Sequence, residues 1–334
     1  MKRTKNLKFL IAGLGSIGQR HLKNLISLGI EDIILFRTGK GTLGKMDTAY
    51  PVYSDLDAAF SQKPDAVIIS NPTSLHMQIA EMAVRSNAHI FIEKPISHSL
   101  DSLRSFESAL ERSNSKVMVA YQFRFNAGLK KMKEILVSGK IGGPVSFHCR
   151  WGEYLPDWHP WEDYRNSYAA RSEMGGGVVL TLSHPIDYLR WFFGDVAELT
   201  AETGNRSDLD LECEDYADAH LVFRTGVEGD LHLDYYTRPK VHDLSIECEN
   251  GKLSWDYQTS CVCLQKPNDD TLSFDPPGGY ERNQMYLDEM AHFLSVCKHR
   301  EKPVCTYQDG KEALNIALGI LQGGRYHDRV VFDG

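Results

Sequence analysis

The 334-residue sequence has no long apolar run, no excess of positive charge and no clustered cysteines. Each absence removes a class of function. A membrane span takes about 20 consecutive apolar residues. The run nearest the start is only Phe9-Leu10-Ile11-Ala12, and a glycine turn follows it. That is too short for a signal-peptide core or a bilayer span, so no membrane partner and a cytoplasmic location are expected. The net charge is −8. A general nucleic-acid binder needs a positive field to meet phosphates, so no nucleic-acid partner is expected. Small anionic ligands stay open, because local charge can oppose net charge. The seven cysteines include no CxxC pair. Cys261 and Cys263, two apart, would share one face of a strand and make no metal clamp. All seven read as reduced thiols. The 13 histidines form no HExxH or comparable ligand set, so no metal is expected, and no GxSxG nucleophile elbow occurs. Internal repeats and low-complexity tracts are also missing.

What is present is an ordinary globular composition, 42% hydrophobic and 25% charged. At about 150 residues per domain, the length suggests roughly two domains. The first third alternates strand and helix. Phe9 to Ala12 reads as a buried strand, then a glycine turn and a helix from about Ile17 to Leu28, stopped by Gly29. Further strands are expected at Ile33 to Phe36, Asp65 to Ser70, Ala88 to Ile92 and Val117 to Ala120. Helices are expected near His76 to Arg85 and Leu100 to Arg112. Such an array forms right-handed βαβ units on a parallel sheet. After about residue 125 the pattern changes. A helix near Leu129 to Val137 leads into longer alternating segments, including Pro144 to Trp151, Ala197 to Thr203, Tyr216 to Phe223, Val227 to Tyr235 and Leu244 to Glu249. Alternation of this kind suggests an antiparallel sheet with one buried face. Gln265 to Gly279, rich in Pro, Asp and Gly, reads as a loop. Helices near Gln284 to Cys297 and Gly310 to Leu321 close the chain. The break falls between Tyr121 and Asn126, giving domains of residues 1–123 and 124–334.

Gly13-Leu14-Gly15-Ser16-Ile17-Gly18 is a GxGxxG directly after a strand and opening a helix. The first glycine permits the tight turn, the second lets backbone approach a pyrophosphate, and the third lets the helix pack on the sheet. The helix N-terminus supplies free N–H groups to phosphates. A dinucleotide is therefore expected. At the end of the second strand an NAD site normally carries an acid. Here Arg37, Thr38 and Lys40 stand there, and no acid lies between Asp32 and Asp47. Arg37 could stack on adenine while Thr38 and Lys40 bond a 2′-phosphate, so NADP is preferred over NAD.

Glu93-Lys94-Pro95 follows the fourth expected strand. Ligands of open parallel sheets sit at the carboxyl ends of strands, which places Lys94 in the crevice. A lysine can take or give a carbinol proton if burial or a neighbouring cation lowers its pKa. Taken alone, such a lysine reads as a solvated charge. Its combination with the N-terminal GxGxxG and with Gly175-Gly176-Gly177 before a helix bearing His184 and Asp187 resembles the Gfo/Idh/MocA oxidoreductase family. Asn71-Pro72-Thr73-Ser74-Leu75-His76 and Phe123-Arg124-Phe125-Asn126 are similar to further segments of that family. The resemblance implies an α/β chain with a Rossmann dinucleotide-binding domain and a second α/β domain. That second domain carries a large open, mainly antiparallel sheet and commonly mediates homodimers or homotetramers. The resemblance also implies that Lys94 and His184 are catalytic, that Lys94–Pro95 is cis, and that Glu93 sits near the cofactor ribose. Asn71, Pro72 and His76 join the implied cofactor site.

His184 and Asp187, three apart, share a helical face. In the family pattern the His meets the reacting hydroxyl and the later Asp orients substrate or His. One group then handles the proton while the other polarises the oxygen. Many members carry an Asp four residues after the last glycine. Thr181 stands there instead, which puts a Lys–Asp–His triad in doubt and leaves Thr181 as a polar support. Trp151 to Arg171 holds Trp151, Tyr154, Trp158, Trp161, Tyr164 and Tyr168 with His159, Arg165 and Arg171 interleaved. Aromatic faces suit the C–H faces of sugar rings, and arginines suit carboxylate or phosphate; packing or an oligomer contact is the other reading. Arg124, Tyr235 and Arg238 are further candidates for the substrate. The resulting expectation is an NAD(P)-dependent oxidoreductase acting on a secondary hydroxyl or ketone of a sugar, inositol, sugar acid or nucleotide sugar. A lyase, hydrolase or epimerase with transient oxidation, and a non-catalytic dinucleotide sensor, are the alternatives.

Overall fold

The computed structural model describes residues 7–39, 48–268 and 270–332. The chain forms two compact units, Met1–Tyr121 with Tyr286–Lys311, and Gln122–Met285 with Glu312–Gly334.

The first unit is built on β1 (Phe9–Ala12), α1 (Ser16–Ser27), β2 (Ile33–Phe36), β3 (Val52–Tyr53), α2 (Leu56–Phe60), β4 (Ala66–Ile69), α3 (His76–Arg85), β5 (His89–Glu93), α4 (Leu103–Leu110) and β6 (Val117–Ala120). The strands pair in parallel in the order β3-β2-β1-β4-β5-β6. Every residue of β1, β2, β4 and β6 is buried. Strands covered on both faces need continuous apolar runs, which is what FLIA, IILF, AVII and VMVA supply. This strand order is that of a dinucleotide-binding sheet, whose ligand crevice opens at the carboxyl ends where the winding reverses, here between β1 and β4. β3 and α2 have no counterpart in the sequence reading; two and five residues are too few to show a period. Residues 286–311, which the division at 123/124 groups with the second half, pack in this unit. Phe293 meets Phe9 and Phe91 with ring centroids 6.3 and 5.3 Å apart, and the Val119 N–H donates to the Cys305 carbonyl at 3.1 Å.

The second unit contains α5 (Ala127–Val137), β7 (Pro144–Gly152), α6 (Val178–Thr181), α7 (His184–Phe193), β8 (Val196–Gly204), β9 (Tyr216–Phe223), β10 (Glu228–Asp234), β11 (Val241–Cys248), β12 (Gly251–Asp256), β13 (Val262–Gln265) and β14 (Leu272–Phe274). Then α8 (Arg282–Cys297) passes into the first unit, α9 (Tyr307–Tyr326) returns from it, and β15 (Val330–Val331) ends the described chain. Nine strands lie in the order β14-β13-β12-β11-β7-β10-β9-β8-β15. All neighbours are antiparallel except β7 with β10. Alternate residues of β9, β10 and β11 are buried, so the sheet has one covered and one open face. The expected loop Gln265 to Gly279 contains β14, a largely exposed three-residue strand that carries no alternation to read.

Candidate active site

In the first unit the site residues sit where adjacent strands end. After β1, Gly13 turns at φ +101°, a conformation that favours glycine, and a Cβ there would lie 2.6 Å from the Ser70 carbonyl carbon. The Ser70 hydroxyl after β4 donates to the Gly13 carbonyl at 2.9 Å and fixes the turn. A Cβ on Gly18 would run into that same carbonyl, so only glycine lets α1 lie so close to β1. Gly15 faces open space, with nothing within 4 Å of where its Cβ would be. The N-terminus of α1 has no side-chain cap and no acid in its first turn, and Gly15 and Ser16 are exposed. Free N–H groups, a positive dipole end and an open glycine fit a pyrophosphate. Ile17 is half-buried beside them. At the end of β2, the Arg37 N–H donates to the Tyr53 carbonyl at 3.0 Å and Thr38 is exposed. Lys40 lies outside the described residues.

After β5 come Glu93 and Lys94, and the Lys94–Pro95 bond is cis. Burial pushes the Lys94 amine down from the ordinary 10.5 to about 8, against the opposing pull of Glu93. The Glu93 carboxylate is held by His21 of α1, Nε2 to Oε1 2.7 Å, with His21 fully buried. His76, 1% exposed, presents Nδ1 to the Pro95 carbonyl at 3.1 Å and Nε2 to the Asn71 carbonyl at 2.9 Å. It ties the turn after β4, with half-buried Asn71 and Pro72, to the residue after Lys94. Burial pushes its pKa down, so it is neutral and donates to one of those carbonyls at a time.

In the second unit the glycine run is again conformational: Gly175 and Gly177 have φ of +80° and +98°. The helix expected after it is two helices. Pro185 has no N–H and its ring excludes the carbonyl four residues back, that of Thr181, so α6 ends there and α7 opens at His184. His184 is 2% exposed, with the Gln122 side-chain nitrogen 3.1 Å from its Nε2 and the rings of Phe123 and Trp151 at 4.8 and 5.7 Å. Both oxygens of Asp187 accept from Arg124, at 2.9 and 2.7 Å, in a pair 4% and 0% exposed. Thr181 is buried and hydrogen-bonds Tyr235, whose hydroxyl burial holds well above its ordinary range.

The aromatic segment divides. Trp151, 7% exposed, lies in the wall behind His184, stacked on His242 at 4.2 Å and donating Nε1–H to Glu153 at 3.1 Å. Trp158 meets Tyr235 edge-on at 5.6 Å. Trp161 is 65% exposed against His159. The Tyr164 hydroxyl accepts from the Asp210 N–H at 3.0 Å, Arg165 is clasped by Asp163, and Arg238 lies over Tyr154 and bonds Asp157 at 3.1 Å. Sequence reasoning did not pick out Gln122, the residue before Phe123-Arg124. Nor did it pick out His242, on an inward position of β11 and joined through Tyr188 to Cys149 at 3.0 Å per step. Glu214 was also missed: it accepts the Val179 N–H at the start of α6, and burial raises its carboxyl to about 7. Among the described residues, no group of three His, Cys, Asp or Glu could hold a metal, and no helix is long and apolar enough to cross a membrane.

Residues 7–121 match the oxidoreductase family with NAD-binding Rossmann fold, and residues 129–254 match the GFO/IDH/MocA C-terminal domain. The chain belongs to the Gfo/Idh/MocA oxidoreductase family. Among curated relatives, the myo-inositol 2-dehydrogenase of Thermotoga maritima is 26% identical, covering 91% of this chain and 92% of the relative. The scyllo-inositol 2-dehydrogenase (NAD(+)) of Bacillus subtilis is 24% identical, covering 93% and 91%. Levoglucosan dehydrogenase in complex with NADH and levoglucosan superposes at TM-score 0.86 and 16% identity, over 99% of this chain and 100% of that one. That likeness establishes the fold.

Proposed function

We propose that this oxidoreductase interconverts a secondary hydroxyl and a ketone on a sugar, inositol, sugar acid or nucleotide sugar, with Lys94 as the proton carrier. The observation that carries the reading is a lysine brought to about 8 at the carboxyl end of β5, in the same sheet as the open Gly13–Gly18 turn. The inositol dehydrogenases among its relatives support the substrate class. A nicotinamide, when bound, supplies the hydride acceptor or donor. Gly13, Gly15, Ser16, Ile17 and Gly18 would hold the pyrophosphate, and Glu93, steadied by His21, would serve the ribose. Lys94 Nζ takes the hydroxyl proton in oxidation and returns it in reduction. His184 hydrogen-bonds the same oxygen, and its amide neighbour Gln122 fixes the ring. The absence of an acid after β2, with Arg37 and Thr38 in its place, supports NADP over NAD. A homodimer or homotetramer through the large sheet and a cytoplasmic location belong to the same reading.

The test is titration of the purified protein with NADPH and NADH, by fluorescence and thermal shift. Arg37→Glu removes the adenine stacking from both cofactors and sets a carboxylate beside the 2′-phosphate, so NADPH binding should weaken about tenfold or more beyond the loss seen with NADH. Equal affinity for both in the parent protein would remove the NADP preference; binding of neither would remove the function.

A further inference from the structure

Lys94 is not alone at the end of β5, and the group that holds its neighbour comes from α1. Phe91 and Glu93, two apart on β5, project from the same face of the sheet. His21 of α1 meets both. Its ring stands edge-on to Phe91 with centroids 5.1 Å apart, and its Nε2 lies 2.7 Å from Glu93 Oε1. Gly18, three residues earlier on the same face of the helix, lets α1 lie close enough to the sheet for this reach. His21 is fully buried and Glu93 is 9% exposed. A carboxylate only accepts, so the ring donates through Nε2–H. Its Nδ1 is buried with no hydrogen-bond partner among the described residues. An apolar side chain would fill this place without stranding a polar atom. The ring's one hydrogen bond, to Glu93, is what a histidine adds. The other carboxylate oxygen, Oε2, accepts from the Lys94 N–H at a long 3.4 Å.

We propose that His21 is a positioning residue for proton transfer, holding the Glu93 carboxylate as a fixed negative charge next to Lys94. The proposal rests on Lys94 being the proton carrier of the function above. The charge of Glu93 favours the ammonium form of Lys94 and so opposes the effect of burial. His76 also feels that charge, but it bonds the Pro95 and Asn71 carbonyls and leaves the carboxylate to His21. Without a donor on Oε1, a carboxylate buried this deeply takes up a proton or turns towards water, and in either case its charge leaves Lys94. The amine then gives up its proton more readily in oxidation and returns it less readily to a ketone. His21 thus ties the helix that opens at the phosphate turn to the balance between the two directions of the reaction.

The experiment reads the Lys94 amine directly and needs no substrate. The full chain is labelled with carbon-13 lysine, the Lys94 Cε signal is assigned by its loss in Lys94→Arg, and its shift is followed by NMR from pH 6 to 10.5. The parent midpoint should lie at about 8. His21→Leu and Glu93→Gln should each lower it by about half a unit to one unit, roughly a threefold to tenfold gain in neutral amine at pH 7. The double variant should match Glu93→Gln alone, because His21 acts only through Glu93. His21→Gln, which sets an amide N–H near the place of Nε2, should return the midpoint to the parent value. An unmoved midpoint in His21→Leu, or shifts that add in the double variant, would overturn the proposal. If His21→Leu does not fold, His21→Gln and Glu93→Gln decide: a shift in both, or in neither, overturns it. Turnover of myo-inositol is measured separately. A midpoint that moves as expected, with full turnover in Lys94→Arg, would uphold the hold of His21 on Glu93 and defeat the proton-carrier reading beneath it.

Discussion

Oxidation by this enzyme should speed up with pH along the titration of Lys94. A base must be neutral to accept a proton, and burial brings this amine from the ordinary 10.5 to about 8. At pH 7 a group with that value is neutral about a tenth of the time. At 10.5 the fraction would be roughly three in ten thousand, so the buried setting gains roughly 300-fold in competent base. The rate of oxidation should therefore climb about tenfold per pH unit below 8 and level off above it, while reduction, which needs the ammonium, should fall through the same midpoint. The assay is pre-steady-state reduction of the nicotinamide between pH 6 and 9.5. Lys94→Arg keeps a cation that stays protonated across this range, and should lose the rising limb and about a hundredfold or more in rate. Glu93 tests the sign. Its charge favours the ammonium, so Glu93→Gln should move the midpoint to lower pH. A limb that survives in Lys94→Arg, or a midpoint near 10 in the parent, would refute the assignment.

Gly18→Ala would drive a Cβ into the Gly13 carbonyl; a loss of about 1–3 kcal/mol in thermal or urea unfolding, together with weaker NADH binding, is expected. Asp187→Asn leaves Arg124 buried with its ion pair broken and should cost about 3–5 kcal/mol by urea denaturation, whereas replacing both partners with apolar residues of similar size should recover most of it. His76→Ala removes the tie between the Asn71 and Pro95 carbonyls. It should lower kcat with little change in NADH affinity, and His76→Asn, which keeps an amide near the position of Nδ1, should recover part of the rate. An unchanged kcat with weakened NADH binding would instead make His76 a direct cofactor contact.

The parts of this molecule legible in the sequence are those set by neighbours in the chain. The β1–turn–α1 unit could be read because its glycines act within six residues, and the parallel strands because burial on both faces demands unbroken apolar runs. The large sheet showed itself through alternation, and β14 did not because it is short and exposed. The division of α6 from α7 was within reach, since Pro185 dictates it. What sequence could not show is pairing at a distance. The Arg124–Asp187 pair spans 63 residues, so two side chains expected to face substrate are turned towards each other. For Trp151 the sequence leaves a sugar platform and packing both open, and its inward place on β7 puts it in the wall with His242. The return of residues 286–311 to the first unit escapes any division that cuts the chain once.

The most direct test of the central claim is to follow deuterium. The full chain is incubated with oxidised nicotinamide cofactor and a neutral polyol carrying deuterium at its ring carbons, and the reduced cofactor is examined by proton NMR. Deuterium at C4 of the nicotinamide on one face only, with slower turnover than for the unlabelled polyol, is the expected result. A polyol consumed with no deuterium reaching the nicotinamide would contradict the account.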